Sequence, residues 1–197
     1  MTTIVNIVEG DGEVRALPVL LRRLAEARKM YDLQVPTPIR VHKDQFIRRP
    51  EEFNRKVQLA IAKAQDGVVL VVLDADDDCP VDLASDIVTR ANAIAPHGRV
   101  AVVIAQREYE GWFLAAAESI AGARGLDEGI TAPGDPDSIR DAKGWLSQRM
   151  GNGRYHEVSD QPALSAVFDI EQASQRSRSL RKLVKAVDWA LQKSPAA

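Results

Sequence analysis

Apolar residues fall along this chain in two rhythms, and the switches between them lay out its elements. Three short runs are apolar at nearly every position: Thr3 to Val8 (TIVNIV), Val68 to Leu73 (VVLVVL) and Val100 to Ala105 (VAVVIA). The last two have no polar face, which suits central strands of a parallel sheet covered by helices on both sides. Elsewhere apolar positions recur every three or four residues. Val14, Leu17, Leu20, Leu21 and Leu24 form one such stripe, with Pro18 expected in the first turns of the helix, where its missing N–H costs least. Phe53, Val57 and Ile61 form another behind Pro50-Glu51-Glu52. Helices are predicted over 81–95, ending before Pro96-His97-Gly98, and over 110–121. Leu180, Leu183, Val184, Val187 and Leu191 stripe a closing helix, beyond which the tail SPAA is expected to fray. A second strand is predicted over 35–41, confined to an edge or shortened by Pro36 and Pro38.

Strand alternating with helix predicts an α/β fold, a parallel sheet with right-handed crossovers flanked by helices. Residues 1–125 read as the α/β core. Residues 126–197 read as a mainly helical extension packed on it to form one unit, entered through a Gly-, Pro- and Asp-rich stretch over 122–137.

Composition narrows the setting more than the chemistry. The 45% apolar and 27% charged fractions are those of an ordinary soluble protein. Lys+Arg 26 against Asp+Glu 28 leaves no global basic field for nucleic acid, and 5% aromatics argue against a base-stacking surface. The lone Cys79 excludes an internal disulfide framework and a cysteine zinc cluster, and fits a reducing cytoplasm. MTTIVNIVEG has no basic start followed by an apolar run, so no signal peptide is expected, and no run reaches membrane-spanning length. A cytoplasmic protein without membrane contact is the expectation. A homodimer stays compatible with the sequence.

The candidate chemistry lies where the strands end. Ligands of a parallel α/β sheet bind beyond the carboxyl ends of its strands. The first strand ends in Glu9 of VEGDGE and the central one in Asp74-Ala75-Asp76-Asp77-Asp78. Residues two apart in an extended chain face the same way, so Asp74 and Asp76 are expected to converge. Converging carboxylates need a compensating cation or proton, and hard oxygen ligands favour Mg²⁺ or Mn²⁺ over zinc. Asp77, Asp78 and Asp82 fit the plainer role of capping the helix after Cys79-Pro80. Glu110, after the third run, joins the acids at this sheet end, with Glu108 beside it. Trp112 and Phe113 read as core. Asp160 is expected to cap the helix through Ala163 and Leu164. Histidines 42, 97 and 156 show no metal-ligand spacing.

VEGDGE followed by a hydrophobic strand and DADDD resembles the Toprim domain of primases, topoisomerases and overcoming-lysogenization-defect nucleases. The resemblance implies a Toprim-like, Rossmann-like core in which Glu9 is the acid–base or metal-linked glutamate and Asp74 and Asp76 hold Mg²⁺. The nuclease branch uses a second glutamate four residues after the first, where Glu13 stands; favourable charge at a helix N-terminus accounts for Glu13 equally well. DADDDCP, REYEGWFLAAAES and YHEVSDQPALSAVFDIEQASQRSRSLRKL resemble the bacterial domain-of-unknown-function 4276 family, regarded as Toprim-like. That family is associated with ATPase genes in defence-like settings, which implies an ATPase partner.

The densest basic run is Arg176-Ser177-Arg178-Ser179 with Arg181 and Lys182. Arg176, Arg178 and Lys143 are the candidate phosphate ligands. Arg176 and Arg178 cannot share a helix face, so one at most is expected to point into a site. The leading expectation is a metal-dependent nuclease acting on DNA or RNA, with Glu9, Asp74 and Asp76 catalytic and Glu9, Glu13, Asp74, Asp76 and Glu110 binding metal. One alternative is a non-catalytic interaction or regulatory module of an ATPase. The other is an aspartyl phosphatase using the Asp74-x-Asp76 motif, although Asp78 stands where that family places Thr or Val.

Overall fold

A computed structural model describes residues 2–95, 98–151 and 153–193, so the SPAA tail and His97 lie outside the described residues. Strands β1 (Thr2–Val8), β4 (Val68–Asp74) and β5 (Val100–Ala105) match the three apolar runs. The stretch expected as one strand over 35–41 forms two short pieces, β2 (Leu33–Gln34) and β3 (Ile39–Arg40). Both pair in parallel with β1, through Thr2–Leu33 and Val8–Arg40. Pro36 and Pro38 fall in the gap between them, because a residue without N–H cannot donate to the ladder. The sheet runs β2-β1-β4-β5 with β3 also on β1, and every pairing is parallel. The α/β expectation therefore holds.

Side-chain alternation splits the core into two layers. Val5, Ile7, Val69, Val71, Leu73, Val100, Val102 and Ile104 pack with α2 (Lys43–Arg48), α3 (Pro50–Ala64) and α4 (Pro80–Ile94). Ile4, Val8, Leu70, Val72, Val103 and Ala105 pack with α1 (Asp11–Glu26), α5 (Gly111–Ala115) and the later helices α6 (Ala142–Ser147), α7 (Glu157–Ser165), α8 (Ile170–Arg176) and α9 (Arg178–Gln192). All seven residues of β4 are buried, as a strand with no polar face requires. The C-terminal helices thus share one core with β1, β4, β5 and α1.

Several local expectations are revised. Pro18 lies well past the first turn, mid-helix in α1, and is buried. The helix expected over 110–121 stops at Ala115, and Ala116 (φ −125°, ψ 35°) separates α5 from a 3-10 turn over Ala117–Ile120. Trp112 and Phe113 are core, as expected. The basic run does not lie on one helix: Ser177 ends α8 and caps α9, its hydroxyl accepting from the Leu180 N–H.

The most extensive helix pairing joins α1 to α7, and Gly12 lets the two approach closely. A Cβ at Gly12 would lie 2.2 Å from Gln161 Oε1 and 2.9 Å from the Glu157 carbonyl oxygen. Gly12→Ala is expected to push α7 outward and cost about 1–3 kcal/mol, the usual toll of overpacking. Urea unfolding measures it, and an unchanged midpoint would contradict the tight approach.

Candidate functional site

The carboxyl ends of β1, β4 and β5 lie side by side, and seven acidic residues gather there. Two groups form. The inner one is Asp74, Glu13, Glu110 and Glu108 around Lys143; the outer one is Asp76 and Asp78 around Lys43, with Glu9 between the groups.

Asp74 is the last residue of β4 and is buried. Its Oδ1 accepts from the Tyr109 N–H at 2.8 Å, which ties the end of β4 to the segment after β5. Burial, then the charges of Glu13 and Glu110, push its carboxyl well above the ordinary range against the opposing pull of Lys143. Glu13 stands in the first turn of α1, and its Oε2 accepts from the N–H groups of Glu9 (3.1 Å) and Gly10. The helix-terminus role proposed for Glu13 is therefore realised. It coexists with coupling to its acidic neighbours: burial and the Glu9 charge raise the Glu13 carboxyl although Gly10 and Lys143 oppose them.

Glu110 is fully buried at the start of α5. Its Oε1 accepts from the Tyr155 hydroxyl at 3.0 Å and from Gln161 Nε2 at 3.1 Å, while Oε2 is buried without a partner. Burial pushes this carboxyl up to about 7, with Glu108 and Glu13 adding to the shift and Lys143 opposing it. Glu108 accepts from the Ala142 and Lys143 N–H groups with Oε2, so it caps α6. Lys143 binds Glu157 at 2.8 Å. Burial disfavours its charge, yet Glu110, Glu157 and Asp74 together outweigh burial and hold its ammonium above the ordinary lysine range.

Asp74 and Asp76 part instead of converging. The strand stops at Asp74, and Asp76 takes a left-handed backbone (φ 52°), which flips its side chain out of the two-residue alternation. Arg107, at the matching point after β5, is left-handed as well (φ 63°). The two turns lock together, the Asp76 N–H donating to the Arg107 carbonyl and the Arg107 guanidinium to the Asp76 carbonyl, both at 2.9 Å. Asp76 then faces Lys43 at 2.6 Å, with Asp78 at 3.3 Å from the same ammonium. Lys43 also donates to the Ala75 carbonyl at 3.1 Å. Burial, then the Asp76 charge, raise the half-buried Glu9 carboxyl, and Lys43 opposes them.

The expected caps and phosphate ligands are also placed differently. Cys79 is the N-cap of α4 without a side-chain bond, while Asp77 pairs with Arg107 (2.6 Å) and Arg140 (2.7 Å). Asp160 lies within α7; its Oδ2 reaches back to the His156 N–H at 2.8 Å and Oδ1 pairs with Arg124. Arg176 is held by Glu118 at 2.8 Å and the Ala115 carbonyl at 3.2 Å, away from the acids. Arg178 is exposed at the start of α9, its N–H donating to Asp137. Of the three candidate phosphate ligands, Lys143 alone meets the acidic group.

Lys43 and Tyr155 escaped the sequence reading. A signal existed for Lys43: a lysine in the first turn of a helix opposes the helix dipole unless acids compensate it. Tyr155 carried none, since its phenol meets Glu110 only in the folded chain, across 45 residues of sequence.

Among the described residues, no three acidic, histidine or cysteine side chains stand together as a metal-holding group. The donor chemistry nonetheless suits a hard cation: all donors are oxygens, the acids raise one another, and Glu110 Oε2 has no partner. The fit is one of charge and ligand type, not of a preformed cage.

Comparison with curated proteins found no match, and comparison with solved structures found none. The sequence pattern of the domain of unknown function DUF4276 matches residues 8–188, from the end of β1 to within α9. The match takes in all seven acids and both lysines of the site, so this chain belongs to the DUF4276 family.

Proposed function

We propose that this protein performs Mg²⁺- or Mn²⁺-dependent phosphodiester chemistry as a Toprim-like nuclease. The observation that carries the reading is the burial of Asp74, Glu13 and Glu110 around Lys143 at the carboxyl end of the sheet. Hydrogen bonds and Lys143 hold the three carboxylates in place, yet burial and their mutual repulsion still raise all three, and a cation would relieve them.

Asp74, Glu13 and Glu110 would hold the metal, with Glu9 at the border of the group. Bound there, it would supply charge stabilisation for a phosphate oxygen and a lowered pKa for water. Glu9 is half-buried with a raised carboxyl, so it suits proton transfer from or to the reacting oxygen. Lys43 and Lys143 suit the attraction and orientation of a phosphodiester. Tyr155 and Gln161 hold Glu110 by its Oε1 and leave Oε2 for the site. DNA or RNA is the substrate class, and an ATPase partner in a bacterial defence-like setting is part of the proposal through the family resemblance.

A non-catalytic interaction module is the second reading, favoured by the two lysines that already offset much of the acidic charge. The aspartyl phosphatase reading loses ground. Its two aspartates must act on one phosphate, but Asp76 turns to Lys43 and Asp74 is buried under a raised pKa.

The test incubates the protein, alone and with its cognate ATPase, with plasmid, single-stranded DNA and RNA in Mg²⁺ or Mn²⁺. Cleavage is expected to fall by about 10³-fold in Asp74→Asn and by about 10²-fold in Glu9→Gln. Mn²⁺ is also expected to raise the melting temperature of the wild type more than that of Asp74→Asn. Absence of cleavage under every condition, or equal cleavage by both variants and wild type, would sink the nuclease reading.

A further inference from the structure

The two edges of the sheet are protected unequally. One edge is split into β2 and β3 around Pro36 and Pro38, which blunts it. The other is β5, six residues of VAVVIA, paired only with β4 among the described residues. The carbonyl oxygens of Arg99 and Ala105 accept from the N–H groups of Val69 and Ala75. Because N–H and C=O of one residue share a side and successive residues alternate, Val100 and Val102 direct theirs outward.

A groove with a cavity volume of about 310 Å³ runs along this edge. Its floor is Val100, Ala101 and Val102; Val88 of α4 walls one face of the sheet and Trp189 of α9 the other. Lys182 and Lys185 line it from α9, both exposed and without an ion pair among the described residues. Just past the end of α9, Lys193 lies 5.4 Å over the Trp189 ring.

We propose that this groove is a docking site for an extended acidic segment of a partner protein, which adds to the β5 edge as a further strand. The outward groups of Val100 and Val102 supply the backbone bonds. On the α4 face the apolar side chains of the segment pack against Val88, and on the α9 face its carboxylates meet Lys182 and Lys185 beside Trp189. Charge complementarity selects the occupant. A second copy of this chain, paired through the same edge about a two-fold axis, would bring both α9 helices to one face and set lysines against lysines. Nucleic acid would use the lysines but neither the apolar floor nor the outward backbone groups. The proposal does not rest on the phosphodiester reading.

The probe is a fluorescent octapeptide alternating glutamate with valine, titrated against the whole protein by anisotropy, beside a lysine–valine octapeptide and a short oligothymidylate. The acidic peptide is expected to bind at least about tenfold more tightly than either, and to slow hydrogen exchange at the Val100 and Val102 amides. The double variant Lys182→Glu, Lys185→Glu is expected to lose about tenfold in affinity with an unchanged unfolding midpoint. No binding, equal binding of both peptides, preference for the oligothymidylate, or binding without protection of those two amides would each overturn the proposal. Nuclease activity in the double variant is expected to be unchanged, which separates this site from the acids at the strand ends.

Discussion

Raising the pH from about 5 to about 8 is expected to destabilise this protein, with Glu110 alone contributing about 3 kcal/mol. Its carboxyl moves from an ordinary 4.5 to about 7 on folding, first through burial and then through the charges of Glu108 and Glu13. A carboxyl with a raised pKa binds its proton more tightly folded than unfolded. Stability from that proton is complete below about 4.5 and is lost as pH climbs through about 7. Asp74 and Glu13 shift in the same direction, each raised by the charge of a neighbouring acid, so the acids lose protons as a group. Urea unfolding at pH 5, 6, 7 and 8 reads the slope. Glu110→Gln removes the charge but keeps an oxygen for the Tyr155 hydroxyl and Gln161 amide, and should be about 1–3 kcal/mol more stable than wild type at pH 8, with a shallower slope. A wild-type midpoint that stays level or rises over this range would contradict the buried acidic group.

The second large effect is structural. Phe113→Ala is expected to cost about 3–5 kcal/mol, the range for deleting a fully buried aromatic ring. Phe113 meets Tyr109 at 5.7 Å and Phe168 at 5.4 Å between ring centroids, both edge-on. Tyr109 in turn bonds Ser165 of α7 through its hydroxyl at 2.9 Å and Asp74 through its N–H. The ring therefore joins the end of β5 to the C-terminal helices, and a cavity there should loosen Asp74 as well as the core. Phe113→Leu, which refills part of the space, should lose much less. A loss below about 1 kcal/mol in Phe113→Ala would mean that the site collapses freely around the gap.

Much of the layered fold is legible in local sequence. Strands β4 and β5 show as runs with no polar face, and α1, α3 and α9 as stripes at helical spacing, because burial on two faces or one imposes those periods directly. The interruption of β2 and β3 follows from two prolines. Local reading was weaker where helices break. Nothing in LAAAES marks the change from α5 to a 3-10 turn at Ala116, since alanines favour the helix and packing overrides them. The division of the basic run at Ser177 is likewise set by its buried hydroxyl and the fold around it.

The candidate site divides in the same way. By itself the sequence determined that acids stand at the carboxyl ends of adjacent parallel strands, because strand ends and sheet type follow from hydrophobic period. Which acids meet was decided by tertiary structure. One left-handed residue at Asp76 turns its carboxylate toward Lys43, far away in sequence, while Asp74 is held inward by the Tyr109 N–H beside Glu13 and Glu110. Past the end of a strand, side-chain direction depends on a single backbone angle and on the charges waiting in space, and neither is written in the spacing of DADDD.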